Sequence, residues 1–336
     1  MLKIPFCLFT PPKKGKKIVW EITSQCNMQC KHCCSNASNS QIASLNEFIF
    51  LNRELLERRI NEMISFGIKE FYISGGEPFL TKNIFELLEY LKRKNAKVSI
   101  ASNGYFINEN VAKRLSKIKI NLLHISLDGY LDKIHNSLRG GNFFNKVVKN
   151  IKMMRKYKIP IRIGCIIWRQ NENFLEEMIK LCIKLKVEEL RFSWLIKVGR
   201  FKDNPNIYPK RTFVSVINEI DVLKEKYKNK IKITIHRNFK TKDSRSSQIC
   251  PGGESLFFLN PTGQLSPCSW IAKIDPDFIT KKTLKNTRFQ KLIEEKEMIS
   301  FRKLIKKRGN KNFKGCPFIA MYQHNSYHSN DSIINL

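Results

Sequence analysis

Six apolar runs of strand length alternate with segments of helical periodicity through the first 200 residues of this chain of 336. That alternation restricts the possible folds more than any other feature. The runs cover residues 17–22, 71–74, 97–102, 122–127, 161–167 and 189–194, and between them residues 53–66, 83–93, 108–115, 145–157 and 171–185 place apolar side chains at helical spacing. Repeated β–α units predict parallel strands joined by crossover helices, that is, an α/β fold built as a partial (β/α)6 TIM-like barrel. In such barrels the reactive loops lie at the C-terminal ends of the strands. Four of the six runs end in Gly, Ser, Asn, Asp, Glu or Cys.

The expected organisation is an N-terminal extension over 1–16 and the barrel over 17–200. A connector helix and strand follow over 201–239, then a small α+β module over 240–322 and a frayed tail over 323–336. In the module, residues 255–260 and 264–270 read as a hairpin about Pro261-Thr262-Gly263, and 289–306 reads as a helix.

Hydrophobic residues at 42% and aromatics at 11% supply a core and exclude a disordered chain. No run approaches the roughly 20 apolar residues of a membrane helix, so no membrane partner is expected. Residues 1–10 are apolar, but Pro5, Pro11 and Pro12 interrupt the segment and no small-residue cleavage site follows. Ten cysteines without a secretory signal therefore point to the reducing cytoplasm, where clustered cysteines hold metal more often than they pair. The net charge of +32 is carried by Lys-rich runs such as 224–232 and 302–314, which read as solvated helix faces. An RNA-modifying protein is the reading such a charge would otherwise favour. No aromatic-plus-basic RNA motif is present, so nucleic acid is not an expected partner.

Directly after the first run stands Cys26-Asn-Met-Gln-Cys30-Lys-His-Cys33, a C-x3-C-x2-C loop. Three thiolates on one loop can ligate three irons of a cubane 4Fe-4S cluster and leave the fourth iron open. An electron-transfer cluster would want a fourth cysteine, and a zinc site a second pair nearby. Cys34 is adjacent to Cys33, and neighbouring side chains diverge too far to share one cubane easily.

Three further motifs follow strand ends. These are Ser74-Gly75-Gly76-Glu77-Pro78, Ser102-Asn103-Gly104, and Ser126-Leu127-Asp128-Gly129 with Arg139-Gly140 downstream. In this order, with His32 before the last cysteine, they resemble the radical S-adenosylmethionine (SAM) enzymes over nearly the whole chain. The resemblance implies a core 4Fe-4S cluster on Cys26, Cys30 and Cys33. It also implies SAM bound by His32, Gly75, Gly76, Glu77, Asn103, Ser126, Asp128, Arg139 and Ile166. Glycines let backbone approach the methionyl part, Glu77 can accept from the amino group, and Arg139 can pair with the carboxylate. Ser126 and Asp128, two apart, would face one side toward ribose or carboxylate, with Ile166 beside adenine.

The implied reaction is reductive cleavage of SAM to a 5′-deoxyadenosyl radical that takes hydrogen from a substrate. The Ser-Leu-Asp-Gly and Arg-Gly pattern is similar to that of maturases of ribosomally made peptides, which cross-link or epimerise them. A small-molecule or cofactor precursor is the alternative substrate. With the first strand starting near Lys17, no leader-binding domain is expected. Leader recognition would fall to a separate leader-binding protein or to the basic surface, and electrons would come from a flavodoxin- or ferredoxin-type donor.

Twelve residues separate Cys250 from Gly263, and four separate Gly263 from Cys268. This arrangement resembles the opening of the SPASM or twitch extension of that family, with Cys316 returning as third ligand of an auxiliary 4Fe-4S cluster. A full SPASM extension carries more cysteines after the second one, so the shorter twitch type is the closer match. The fourth position is left to substrate, to His324, or to a zinc site instead. Cys182, flanked by apolar residues, is expected in the core and Cys7 to be incidental. Cys165 on the fifth strand is a candidate hydrogen-atom donor if it points into the barrel, and a packing residue if it points outward.

Overall fold

The computed structural model describes residues 15–38, 52–236, 250–310 and 316–329. Cys7, most of the N-terminal extension, the polar stretch 237–249 and the last residues of the tail lie outside the described residues. The chain divides into two compact units. One comprises residues 1–22, 46–71 and 237–336, the other 23–45 and 72–236, so the division falls inside the second strand.

The strands are β1 (Lys16–Glu21), β2 (Ile68–Ser74), β3 (Lys97–Ser102), β4 (Leu122–Ser126), β5 (Ile161–Ile167), β6 (Glu189–Trp194), β7 (Lys232–His236), β8 (Leu256–Leu259) and β9 (Leu265–Ser266). In the unit at 23–45 and 72–236, β2 to β7 lie side by side in chain order. Each pairing from β3–β4 through β6–β7 is parallel. Among the described residues β7 has a strand neighbour only in β6, so the sheet is open, as a partial barrel requires. The expected connector supplies the helix Phe213–Tyr227 and β7, which extends the sheet by hydrogen bonding to β6.

Side-chain alternation gives this sheet two different faces. Val98, Ile100, Leu123, Ile125, Ile161, Ile163 and Phe192 are fully buried on one face. The other carries His124 and Ser126 on β4, Arg162, Gly164 and Ile166 on β5, and Glu189, Arg191 and Ser193 on β6. Gly164 is where the His124 ring crosses β5, since a Cβ there would fall on the imidazole.

One helix of this unit, Asp132–Arg139, was not legible beforehand. Its sequence is short and polar, and only Ile134 and Leu138 are apolar among its buried residues. Gly140, at φ +77°, ends it in the left-handed conformation.

In the other unit, β1 pairs in parallel with β8 and β8 antiparallel with β9. The hairpin turn closes with Asn260 N donating to Gln264 O at 3.0 Å. β9 is only two residues long because Pro267 follows it, lacking the N–H a ladder needs. The expected helix at 289–306 is two helices, Phe289–Ile293 and Lys296–Asn310. Phe66, Phe257 and Phe289 pack edge to face in the core of this unit. The start of the expected tail is anchored rather than frayed, because Tyr327 donates to Asp275 at 2.7 Å and packs on Phe278.

Candidate active site

The cysteine loop folds back on itself: Cys26 N donates to Ser38 O at 2.9 Å and Ser38 N to Ser24 O at 3.3 Å. Cys26, Met28, Cys30 and Ala37 form a buried cluster flanked by Cys33, Tyr105 and Phe143. Burial pushes the Cys26 thiol up to about 11 and raises Cys30 as well, despite the adjacent Arg139.

Four strand-end elements hold this loop. After β2, Gly76 N donates to Thr23 O and Glu77 N to Gln25 O, both at 2.7 Å. After β3, the Asn103 amide donates to Asn27 Oδ1 at 2.8 Å and lies 3.9 Å from Cys26 Sγ. From the helix Asp132–Arg139, Leu138 O accepts from Lys31 N at 2.9 Å and Arg139 Nη1 reaches Cys30 Sγ at 3.6 Å. After β6, Arg200 donates to carbonyls of the loop. Because these elements converge only in the folded sheet, the loop owes its shape to tertiary contacts.

The charged centre is the pair of Asp128, with no exposure, and buried Arg139. Asp128 Oδ2 accepts from Arg139 Nε at 2.6 Å, and its Oδ1 accepts from Ile166 N at 2.8 Å. Burial pushes the Asp128 carboxyl up, but the Arg139 guanidinium outweighs it, and the group lies below its ordinary value. Burial likewise opposes the Arg139 cation, and Asp128, ahead of Cys30, more than offsets it. The Asp128 carbonyl accepts from Trp168 Nε1 at 3.3 Å and Asn171 Nδ2 at 2.9 Å, while Asp128 N donates to His135 Nδ1 at 3.1 Å. His135, Trp168 and Asn171 had no signal in the sequence beyond being polar or aromatic residues near a motif.

Asp128 uses both carboxylate oxygens inside the protein, and Oδ2 aligns Arg139. Cys165, 1% exposed, shares the buried face of β5 with Ile161, Ile163 and Ile167; burial pushes its thiol pKa up, and Asp128 and then Cys182 of the helix Leu175–Lys184 raise it further. That face is opposite to the one carrying Ile166.

Glu77 has no exposure, and it accepts from Phe79 N at 3.2 Å, Ser102 Oγ at 2.8 Å and Asn103 N at 2.7 Å. It thus ties the end of β2 to the end of β3, although burial still pushes its pKa up to about 7. Gly75, at φ +151°, and Gly76 run against the backbone of residues 23–25. A Cβ on Gly75 would stand 2.6 Å from Thr23 O, and one on Gly76 would overlap the Gln25 carbonyl. These glycines are demanded by the cysteine loop from within the protein. Ser126 and Ile166 are half-buried at the ends of β4 and β5, on one face. Beside Cys33, His32 has its pKa pushed down to about 3 by burial, ahead of Arg139. It is therefore neutral, and its Nδ1 is buried with no hydrogen-bond partner among the described residues.

In the second unit, a Cβ at Gly252 would meet both Cys250 Sγ and Pro267 O at 3.4 Å, so the Cys250 thiol lies beside the segment leading into Cys268. Trp270, two residues beyond Cys268, packs on Phe318, two beyond Cys316, with ring centroids 5.2 Å apart. The structure thus brings the three cysteine-bearing segments together. His324 ends the helix Pro317–His324 and is exposed. Among the described residues no three His, Cys, Asp or Glu side chains converge closely enough to hold a single metal ion, and no helix is long and apolar enough to cross a membrane.

Residues 20–182 match the Radical SAM superfamily. Over 306 residues the chain is 23% identical to the AdoMet-dependent heme synthase of Methanosarcina barkeri, a match covering 85% of this chain and 84% of that protein. It is 24% identical over 260 residues to AlbA, the antilisterial bacteriocin subtilosin biosynthesis protein of Bacillus subtilis, covering 76% of this chain and 55% of AlbA. The crystal structure of Streptococcus suis SuiB bound to S-adenosylmethionine superposes with a TM-score of 0.74 at 16% identity, over 100% of this chain and 78% of SuiB. That is a likeness of fold.

Proposed function

A radical SAM enzyme by its domain at residues 20–182, the protein acts, we propose, on a ribosomally synthesised peptide, which it cross-links or epimerises. Its cofactors are a 4Fe-4S cluster and SAM. When bound, the cluster supplies the electron that cleaves SAM to methionine and a 5′-deoxyadenosyl radical.

The observation that carries this reading is the clasped cysteine loop beside a buried, aligned arginine. The residues fit the group. A cubane is ligated at its corners, so its thiolates stand further apart than ligands of a single ion, in keeping with the absence of a single-ion site among the described residues. The buried Nδ1 of His32, without a partner among the described residues, suits a bound group next to Cys33.

In this proposal Cys26, Cys30 and Cys33 hold the core cluster. Arg139, kept in place by Asp128, supplies a fixed positive charge for the SAM carboxylate. Glu77 and Asn103 hold the β2 and β3 loops against the cysteine loop, with Gly75 and Gly76 presenting backbone at that point. His32, Ser126 and Ile166 border the nucleoside. Cys250, Cys268 and Cys316 hold an auxiliary 4Fe-4S cluster. A flavodoxin- or ferredoxin-type donor and a separate leader-binding protein complete the scheme.

The peptide reading is supported by the similarity to AlbA and by the SuiB-like fold, a fold also solved with the precursor peptide SuiA bound. The second reading is a tetrapyrrole substrate, favoured by the longer match to a heme synthase. The test is anaerobic reconstitution, then SAM and a strong reductant, with a neighbouring-gene precursor peptide or an iron tetrapyrrole and Cys30→Ala as control. 5′-Deoxyadenosine that depends on Cys30, with loss of two hydrogens or uptake of solvent deuterium by the peptide, is the expected result. Turnover of the tetrapyrrole alone would overturn the peptide assignment, and no deoxyadenosine from wild-type protein would overturn the radical one.

A further inference from the structure

The loop after β6 reaches across 170 residues of sequence to grip the cysteine loop. Arg200 does this with three donors at once: its backbone N to Cys33 O at 2.9 Å, Nη1 to Cys30 O at 3.0 Å, and Nη2 to Ala37 O. The cysteine loop has no regular secondary structure, so these carbonyls would otherwise need other partners in a largely buried setting. A fixed planar fork lets one side chain hold two carbonyls in a set geometry, whereas a lysine ammonium, though it has three donors, presents them from one point on a flexible stem.

Arg200 is itself held. Its carbonyl accepts from Asn204 Nδ2 at 3.0 Å. The next residue, Phe201, is fully buried in a cluster with Ile134, Leu138, Trp168, Leu195 and Ile207. Gly199 stands at φ +62°, and a Cβ there would strike the Cys33 carbonyl and lie 2.8 Å from Cys34 Cα. The two loops therefore touch backbone to backbone, which leaves the Arg200 fork no slack.

We propose that Arg200 is a positioning residue for the core cluster, setting the shape of the cysteine loop before any iron is bound. The consequence for the cluster rests on the radical SAM reading; the clamp itself belongs to the folded chain.

The test is timed alkylation of the full-length apo-protein with iodoacetamide, read cysteine by cysteine by mass spectrometry, for wild type, Arg200→Ala and Arg200→Lys. Losing two charge-assisted hydrogen bonds should speed alkylation of Cys26 and Cys30 by about tenfold or more. Cys182, in the core of the same unit, should keep its wild-type rate, and Arg200→Lys should fall between. After reconstitution, Arg200→Ala should alter the electron paramagnetic resonance signal that responds to SAM, with Arg200→Lys nearer to wild type. Equal rates at Cys30 in wild type and Arg200→Ala would overturn the proposal, as would a parallel rise at Cys182, which would mean general loosening. Wild-type protein that shows the protection yet takes up no iron would overturn the cluster reading, and the positioning role with it.

Discussion

Arg139 points two nitrogens, Nε at 2.6 Å and Nη2 at 2.5 Å, at one carboxylate oxygen of Asp128, and turns the third toward Cys30 Sγ at 3.6 Å. A buried ion pair is thereby joined to the cysteine loop, and the stability of one bears on the geometry of the other.

Asp128→Ala would leave the Arg139 charge buried without its carboxylate partner. Removing one member of such a pair costs about 3–5 kcal/mol. Urea denaturation of the apo-protein at neutral pH should record a loss of that size. A loss under about 1 kcal/mol would mean the pair behaves like an exposed one.

Gly76→Ala places a methyl group on the Gln25 carbonyl, with backbone on both sides and no flexible side chain to give way. Overpacking of this kind costs about 1–3 kcal/mol, and here it would displace the cysteine loop. Denaturation and iron content after reconstitution should fall together. Wild-type values of both would remove the reason given for this glycine.

Glu189 sets an acid limit on the β5–β6–β7 edge. Burial raises its pKa, but Arg162, Thr234 and Arg191 outweigh that and hold it down at about 2. Because the folded value lies below the ordinary one, the folded form binds fewer protons. The contribution is present above about pH 4.5 and is lost as pH falls toward 2. Discounted for partial exposure, it amounts to about 2 kcal/mol. Glu189→Gln should lower stability at neutral pH and flatten its decline between pH 5 and pH 3. An unchanged acid slope in the variant would dismiss the assignment.

Cys165→Ala tests which face of β5 matters. With the thiol packed near Cys182, the change should cost roughly 1 kcal/mol, as small core truncations do, and leave the rate of 5′-deoxyadenosine formation untouched. If the variant forms deoxyadenosine normally but no longer delivers hydrogen to a substrate radical, Cys165 has access to the inner face after all.

The strands of the sheet were legible because apolar runs bounded by Gly, Asn and Asp mark strand ends directly, and the motif residues lie on those ends. β7 was legible as a strand but not as part of the sheet, since nothing in residues 232–236 names β6 as its partner. The helix Asp132–Arg139 was missed because its polar sequence hides a face of only two apolar residues. Yet that helix aims Arg139. Glu77 and Asp128 were expected as ligand contacts because the family resemblance implies it. Their hydrogen-bond partners inside the protein were not legible, because those segments are far apart in sequence and meet only on packing.

By itself, the sequence determined the β–α order, the thiol spacing of residues 26–33 and the residue types at the strand ends, all of which depend on local pattern. The tertiary structure decided which face Cys165 occupies, that Asp128 serves Arg139, and that Arg200 closes on Cys30, Cys33 and Ala37. Burial and hydrogen-bond direction exist only once distant segments are packed, and no local pattern in the chain encodes them.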